Sequence, residues 1–166
     1  FDGGTILSGT GQGPYEIIWS SNGSYTVTLD VTENGCTSNP NGATVVVPAA
    51  LSLSLDVEDV NCYGGSDGEI SSNVSGGTTS YSYNWSNGGT ASSQTGLSSG
   101  LYQLTVTDAN SCTIAGSDVV QEPPQLTIST GSDQSICYGN SVDISASAAG
   151  GTTPYTYYWN DGSGFS

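Results

Sequence analysis

Residues 62–85 read CYGGSDGEISSNVSGGTTSYSYNW. Ile70 and Val74, then Tyr81, Tyr83 and Trp85, stand at even spacings with small polar residues between them. That period of two belongs to a strand, whose successive side chains point to opposite faces. The pair Gly76-Gly77 divides the run in two, as a turn does. Upstream, Leu51, Leu53, Leu55 and Val57 alternate in the same way; downstream, Tyr102, Leu104 and Val106 follow, and Ile114 with Val119 closes the set. Six or seven short strands separated by Gly, Asn, Asp and Ser turns predict two packed antiparallel sheets in an immunoglobulin-like sandwich. No stretch favours the 3.6-residue period, so helix is expected to be nearly absent.

The pattern repeats. The stretch from Leu51 to Trp85 aligns with QLTISTGSDQSICYGNSVDISASAAGGTTPYTYYW from Gln125, and GSYTVTLDVTENGC from Gly23 aligns with GLYQLTVTDANSC from Gly100, both at an offset of about 75 residues. Each unit therefore has a front half and a back half. Residues 49–123 hold both and read as a complete domain; residues 1–48 supply only a back half, and residues 124–166 only a front half. The expected fold is thus all-β, with tandem immunoglobulin-like antiparallel β-sandwich domains, one complete and two half-domains. Read in the order third then first, NDGSGFS runs into FDGGTILSGTGQGPYEIIW as one domain of about 90 residues. The chain is accordingly expected to be one period of a longer array, with residues 124–166 completed by residues 1–48 of the next copy or period. Val47-Pro48-Ala49-Ala50 and Gln121-Glu122-Pro123-Pro124 fall at the joints, where proline restricts the backbone and should make the connection short and stiff.

The 166 residues carry 15 Asp and Glu but no Lys, Arg or His. No side chain can form a salt bridge with these carboxylates, so each must be hydrated, bonded to amides or held by a cation. Such a polyanion is repelled by phosphate backbones and anionic lipid, which excludes nucleic acid as a partner. No apolar run approaches the 18 or so residues that span a bilayer, and no basic-then-apolar leader opens the chain. Catalysis is not expected: the commonest bases are missing, and the carboxylates sit in turns of domains too small to enclose a cleft.

A sandwich of about 75 residues buries only about 60% of its unfolded surface and needs a staple. Cys62 and Cys112 share one repeat and are expected to pair, closing a loop worth roughly 4 kcal/mol in the chain-entropy model. Cys36 and Cys137 hold matching positions in the half-domains and are expected to pair across the boundary. The alternative is four buried free thiols; zinc is disfavoured by the lack of His and of Cys-x-x-Cys. Tyr81, Tyr83, Trp85, Tyr102, Tyr25 and Trp159 are read as core aromatics, with Tyr158 breaking the alternation and pointing outward. Their alternative is an exposed platform for sugar rings. Asp56, Glu58, Asp59, Asp67, Glu69 and Asp108 offer oxygen ligands of the kind calcium takes, with plain solvation as the alternative. No other cofactor is indicated, and the tripeptides at Asn22, Asn73 and Asn84 that match the N-glycosylation pattern read as chance.

The tracts CYGGSDGEISSNVSGGTTSYSYNWSNG and GLSSGLYQLTVTDANSCT resemble the SprB repeat of Bacteroidota surface adhesins over residues 51 to about 123. The flanks, with GPYEIIWSSNGSYTVTLDVTENGC, are similar to polycystic-kidney-disease-like (PKD-like) domains. Ser80 departs from the proline usual before the aromatic tract. The resemblance implies an extracellular, bacterial cell-surface protein exported by type 9 secretion and used for attachment or gliding motility, with neighbouring copies of itself and surface glycans as partners. The rival reading is an ancillary carbohydrate-binding sandwich of a secreted polysaccharide-degrading enzyme. Burial of Tyr83 and Trp85 decides between them.

Overall fold

The computed structural model describes residues 3–8 and 11–160. The expected junction between residues 160–166 and the opening of the chain falls largely outside them. Among the described residues the chain is all-β, with no helix. The strands are β1 (Gly4–Ser8), β2 (Glu16–Trp19), β3 (Gly23–Leu29), β4 (Thr32–Glu33), β5 (Cys36–Thr37), β6 (Asn41–Val47), β7 (Ser52–Glu58), β8 (Gly68–Ser75), β9 (Ser82–Trp85), β10 (Ser93–Leu97), β11 (Gly100–Thr107), β12 (Thr113–Val120), β13 (Thr127–Thr130) and β14 (Ala146–Ala149).

The central segment forms two three-stranded sheets, β10-β8-β7 and β12-β11-β9. This is the strand division of an immunoglobulin-like sandwich: the first, second and fourth strands share one sheet, and the third, fifth and sixth share the other. Alternation governs burial as expected. Along β7 the side chains of Leu53, Leu55 and Val57 turn inward while Ser52, Ser54, Asp56 and Glu58 face water. On β12 the phase differs from expectation, because Ile114, Gly116 and Val120 share the inward face and Val119 is exposed. The apolar pair Val119-Val120 left the phase open to sequence reading; the two-residue period counted from Ile114 selects Val120.

By packing, the chain divides into two compact units, residues 1–54, 74–83 and 105–115 in one and residues 55–73, 84–104 and 116–166 in the other. In the second, Val60, Ile70, Trp85, Leu97, Leu104 and Val120 are buried. A side chain at Gly68 of β8 would stand 2.7 Å from Val120 Cγ1 of β12, so the two sheets close to van der Waals contact there. The Trp85 indole N–H, which burial would otherwise strand, donates to the Ala91 carbonyl at 2.9 Å. In the first unit, β3 pairs with β6 from Gly23↔Val47 to Leu29↔Asn41, β1 pairs with β2, and the rings of Trp19 and Tyr25 stack with centroids 5.6 Å apart.

The outer segments repeat the sequence of the central one but not its burial. Trp85 is 2% exposed, and Trp159 at the same repeat position is 46% exposed; Ile70 is 0% exposed and its counterpart Ile144 67%. Tyr158 faces outward, and Tyr157 is exposed beside it. In a urea titration, Ile70→Ala is expected to lower stability by about 2–5 kcal/mol, whereas Ile144→Ala should stay within about 0.5 kcal/mol of wild type. Equal losses would show that the third segment has a packed core of its own.

Candidate functional site

For a chain of repeats the chemistry to be explained is how each module grips the chain entering it. Gly76 and Gly77 adopt φ of 74° and 61°, the left-handed region that glycine enters without penalty. The turn lies against the joint: the Gly77 N–H donates to the Ala49 carbonyl at 2.7 Å, and a Cβ on Gly76 would stand 2.0 Å from the Ala50 oxygen. Tyr81 reaches back and donates its hydroxyl to the Gly76 carbonyl at 2.6 Å. The third segment builds the same clasp. Gly150 and Gly151 have φ of 74° and 59°, Gly151 N–H donates to the Pro124 carbonyl, and the Tyr155 hydroxyl donates to the Gly150 carbonyl. The repeated GGTT tract carried this signal in the sequence, where it read only as a turn.

Asp108 locks the clasp to the β11–β12 turn. It is 5% exposed, and with no cation in the chain its carboxylate is satisfied by backbone N–H groups: Thr78 at 2.9 Å, Asn110 at 2.9 Å and Cys112 at 2.8 Å. Its own N–H donates to the Cys112 carbonyl, and Ala109 N–H to the Thr78 carbonyl. These bonds, that from Thr78 foremost, hold the Asp108 carboxyl below its ordinary range against the opposing cost of burial.

The outgoing joint is tied by its own set of bonds. Gln121 N–H donates to the Asp59 carboxylate at 2.8 Å, Val60 N–H to the Gln121 carbonyl at 2.9 Å, and Gly64 N–H to the Glu122 carboxylate at 2.7 Å. Asp67 accepts from the Asn61 side-chain amide and backbone N–H, which together hold its carboxyl below the ordinary value. Stiffness here comes from hydrogen bonds across the joint as well as from its prolines.

Two tyrosines absent from the clasp make a second recurring bond. Tyr102 donates to the Ser98 carbonyl at 3.0 Å and Tyr25 to the Ser21 carbonyl at 2.8 Å, each four residues upstream. Tyr81, Tyr83 and Tyr102 are half-buried and Trp85 is buried, so the central aromatics do not form an open platform.

Within the chain, the pairing of Cys62 with Cys112 expected from the repeat does not form. All four cysteines are free and exposed. Cys112 stands at the start of β12, whereas Cys62 lies two residues beyond Val60, which is bonded just past the end of that strand. The eight residues of β12 span about 26 Å, and a disulfide needs Cα atoms within about 7 Å. Equal spacing in two repeats had suggested a bridge where it records only equal turns. Nor do Asp56, Glu58, Asp59, Asp67 and Asp108 assemble a calcium site: among the described residues no three acidic or thiol groups gather. Asp56 takes the Asn73 amide at 2.6 Å, Asp59, Asp67 and Asp108 are bonded as above, and Glu58 is exposed.

A family model of the SprB repeat matches residues 54–90 and again residues 129–164. The second match falls on the segment expected to be PKD-like. No curated protein and no solved structure matches the chain.

Two predictions follow from the clasp. Gly76→Ala should destabilise the central sandwich more than Tyr81→Phe, which removes a hydrogen bond worth about 0.5–1.5 kcal/mol; the reverse order in urea midpoints would contradict the close approach at Ala50. Because the folded state lowers the pKa of Asp108, its contribution is complete above the ordinary aspartate range and is lost as pH falls through the folded value. Urea midpoints measured down the pH scale should therefore drop below about pH 4, and Asp108→Asn, less stable at neutral pH, should show a shallower drop.

Proposed function

We propose, from the SprB-repeat match over residues 54–90 and 129–164, that this chain is a structural and adhesive repeat segment of a secreted bacterial surface filament, serving attachment and, in cells that glide, motility. SprB repeats are a structural family associated with cell-surface proteins rather than an enzyme family. The observation that carries the reading is the use to which the repeated residues are put. The glycine pair, the tyrosine hydroxyls and Asp108 all bond the chain to itself, and Trp85 is buried. A module that worked by stacking sugars would present those rings to solvent. Repetition supplies reach, and 15 carboxylates without one cation keep a long surface polymer soluble through mutual repulsion.

Export by type 9 secretion and display on the outer surface complete the proposal. An antibody against residues 49–123 should label intact, unpermeabilised producing cells and block their attachment to a solid surface. Label that appears only after lysis, or attachment unchanged when the repeat region is deleted, would overturn it.

A further inference from the structure

Tension drawn along a string of modules enters each one at one joint and leaves at the next, so it is borne by whatever ties the two joints together by the shortest route. In the central segment that route is short. The chain runs from the joint at residues 47–50 into β7, and β7 ends at Glu58, next to Asp59 and Val60. There it meets the outgoing joint: Val60 N–H donates to the Gln121 carbonyl at 2.9 Å, Gln121 N–H to the Asp59 carboxylate at 2.8 Å, and Gly64 N–H to the Glu122 carboxylate at 2.7 Å. From joint to joint, load passes along residues 51–60, across these bonds, and out through residues 121–124. Residues 65–120 lie off that path.

The bonds are also set to resist a pull. The clasp ties Ala49, just before β7, to Gly77, and Asp108 ties the neighbouring Thr78 to Cys112, just before β12. The bonds between Val60 and Gln121 come just after β7 and just after β12. Tied at both starts and at both ends, the two strands run the same way. A pull on the joints draws β7 toward its start and the end of β12 forward, in opposite directions along parallel strands. The bonds at residues 59–60 and 121 are therefore loaded side by side and must yield together, whereas bonds opened from one end of a ladder yield in turn and hold less. Val60 and Val120, beside these bonds, are both buried, so sliding would also draw apolar surface into water.

We propose that these bonds are a mechanical latch: residues 59–60 and 121–122 carry the tension passed from one joint to the next and shield the two sheets from it. Asp59 and Glu122 are the side chains that do this. Each accepts from a backbone N–H on the opposite side of the path rather than from its own turn, and a bond to an ionised carboxylate is stronger than one between neutral groups. Asp56 provides the contrast. Its carboxylate takes the Asn73 amide at 2.6 Å, a bond from β7 to β8, its neighbour in the same sheet, that branches off the short path.

The inference rests on the repeat reading above but is tested apart from it, on the purified full chain held by its two ends at constant force in magnetic tweezers. Opening of the central segment is recognised by its length, since residues 51–123 release roughly 250 Å when drawn out. Asp59→Ala and Glu122→Ala should each shorten its lifetime under force about tenfold or more, the effect of losing one hydrogen bond to a charged group. Asp56→Ala loses a bond of the same class and should leave that lifetime within about twofold of wild type. With the handles moved to the exposed thiols of Cys62 and Cys112, in a chain carrying Cys36→Ser and Cys137→Ser, the force bypasses residues 59 and 121, and Asp59→Ala should then change nothing. Urea titration confirms that each variant is folded before it is pulled. An end-to-end lifetime shortened less than about threefold by Asp59→Ala overturns the proposal. So does an equal shortening by Asp56→Ala, or an equal shortening through the thiols. Surface labelling of cells is indifferent to these outcomes, so the two readings fail separately.

Discussion

A methyl group at Gly76 would stand 2.0 Å from the Ala50 oxygen, and one at Gly150 would stand 2.0 Å from the Gln125 oxygen. Backbone on backbone at that distance leaves room for hydrogen only, so the entering chain and the turn after the second strand are held in one arrangement in both segments. The tyrosine hydroxyl on the same glycine carbonyl closes the turn from the other side. The third segment shows that this clasp needs no finished sandwich around it: it is present where Trp159 and Ile144 are still exposed. The grip on the joint is therefore local, set by residues 124–125 and 150–155, and the large core is a later and separate gain.

The absence of cations shapes everything polar in the molecule. In most proteins a carboxylate as buried as Asp108 would be matched by Arg or Lys. Here it is surrounded by N–H groups from two turns, a solution that neutralises nothing but satisfies its lone pairs directionally. Among the described residues no buried side-chain nitrogen or oxygen lacks a partner. Of the carboxylates that could have served calcium, Asp56, Asp59 and Asp67 are engaged in the same way, each with its own amide. Tyr25, Tyr81, Tyr102 and Tyr155 follow the same economy, each spending its hydroxyl on a carbonyl four or five residues upstream.

The strands and their inward faces were legible because alternation is a direct imprint of the pleat. Leu53, Leu55, Val57, Ile70, Leu104 and Val106 all turn where their spacing puts them. Val119 was misplaced because two adjacent valines satisfy either phase. The clasp was half legible: GGTT announced a turn in both repeats, but its close approach to Ala50 and Gln125 depends on a contact across roughly 25 residues that no local pattern encodes. The cysteines misled for a related reason. A repeat states that two positions are equivalent between modules, never that they are near one another within one, and in a sandwich consecutive turns alternate between its ends.

The exposure of Trp159 against the burial of Trp85 bears on what a domain is in such a chain. Residues 51–85 and 125–159 carry the same hydrophobic alternation, so both have the capacity for a strand at the aromatic tract; only the one supplied with β11 uses it. Strand formation here follows from edge pairing and burial, not from intrinsic preference. Charge follows the packing: eight of the 15 carboxylates lie between residues 51 and 123, in the segment whose core is buried. Repulsion is thereby concentrated where burial already secures the fold and thinned along the more exposed flanks.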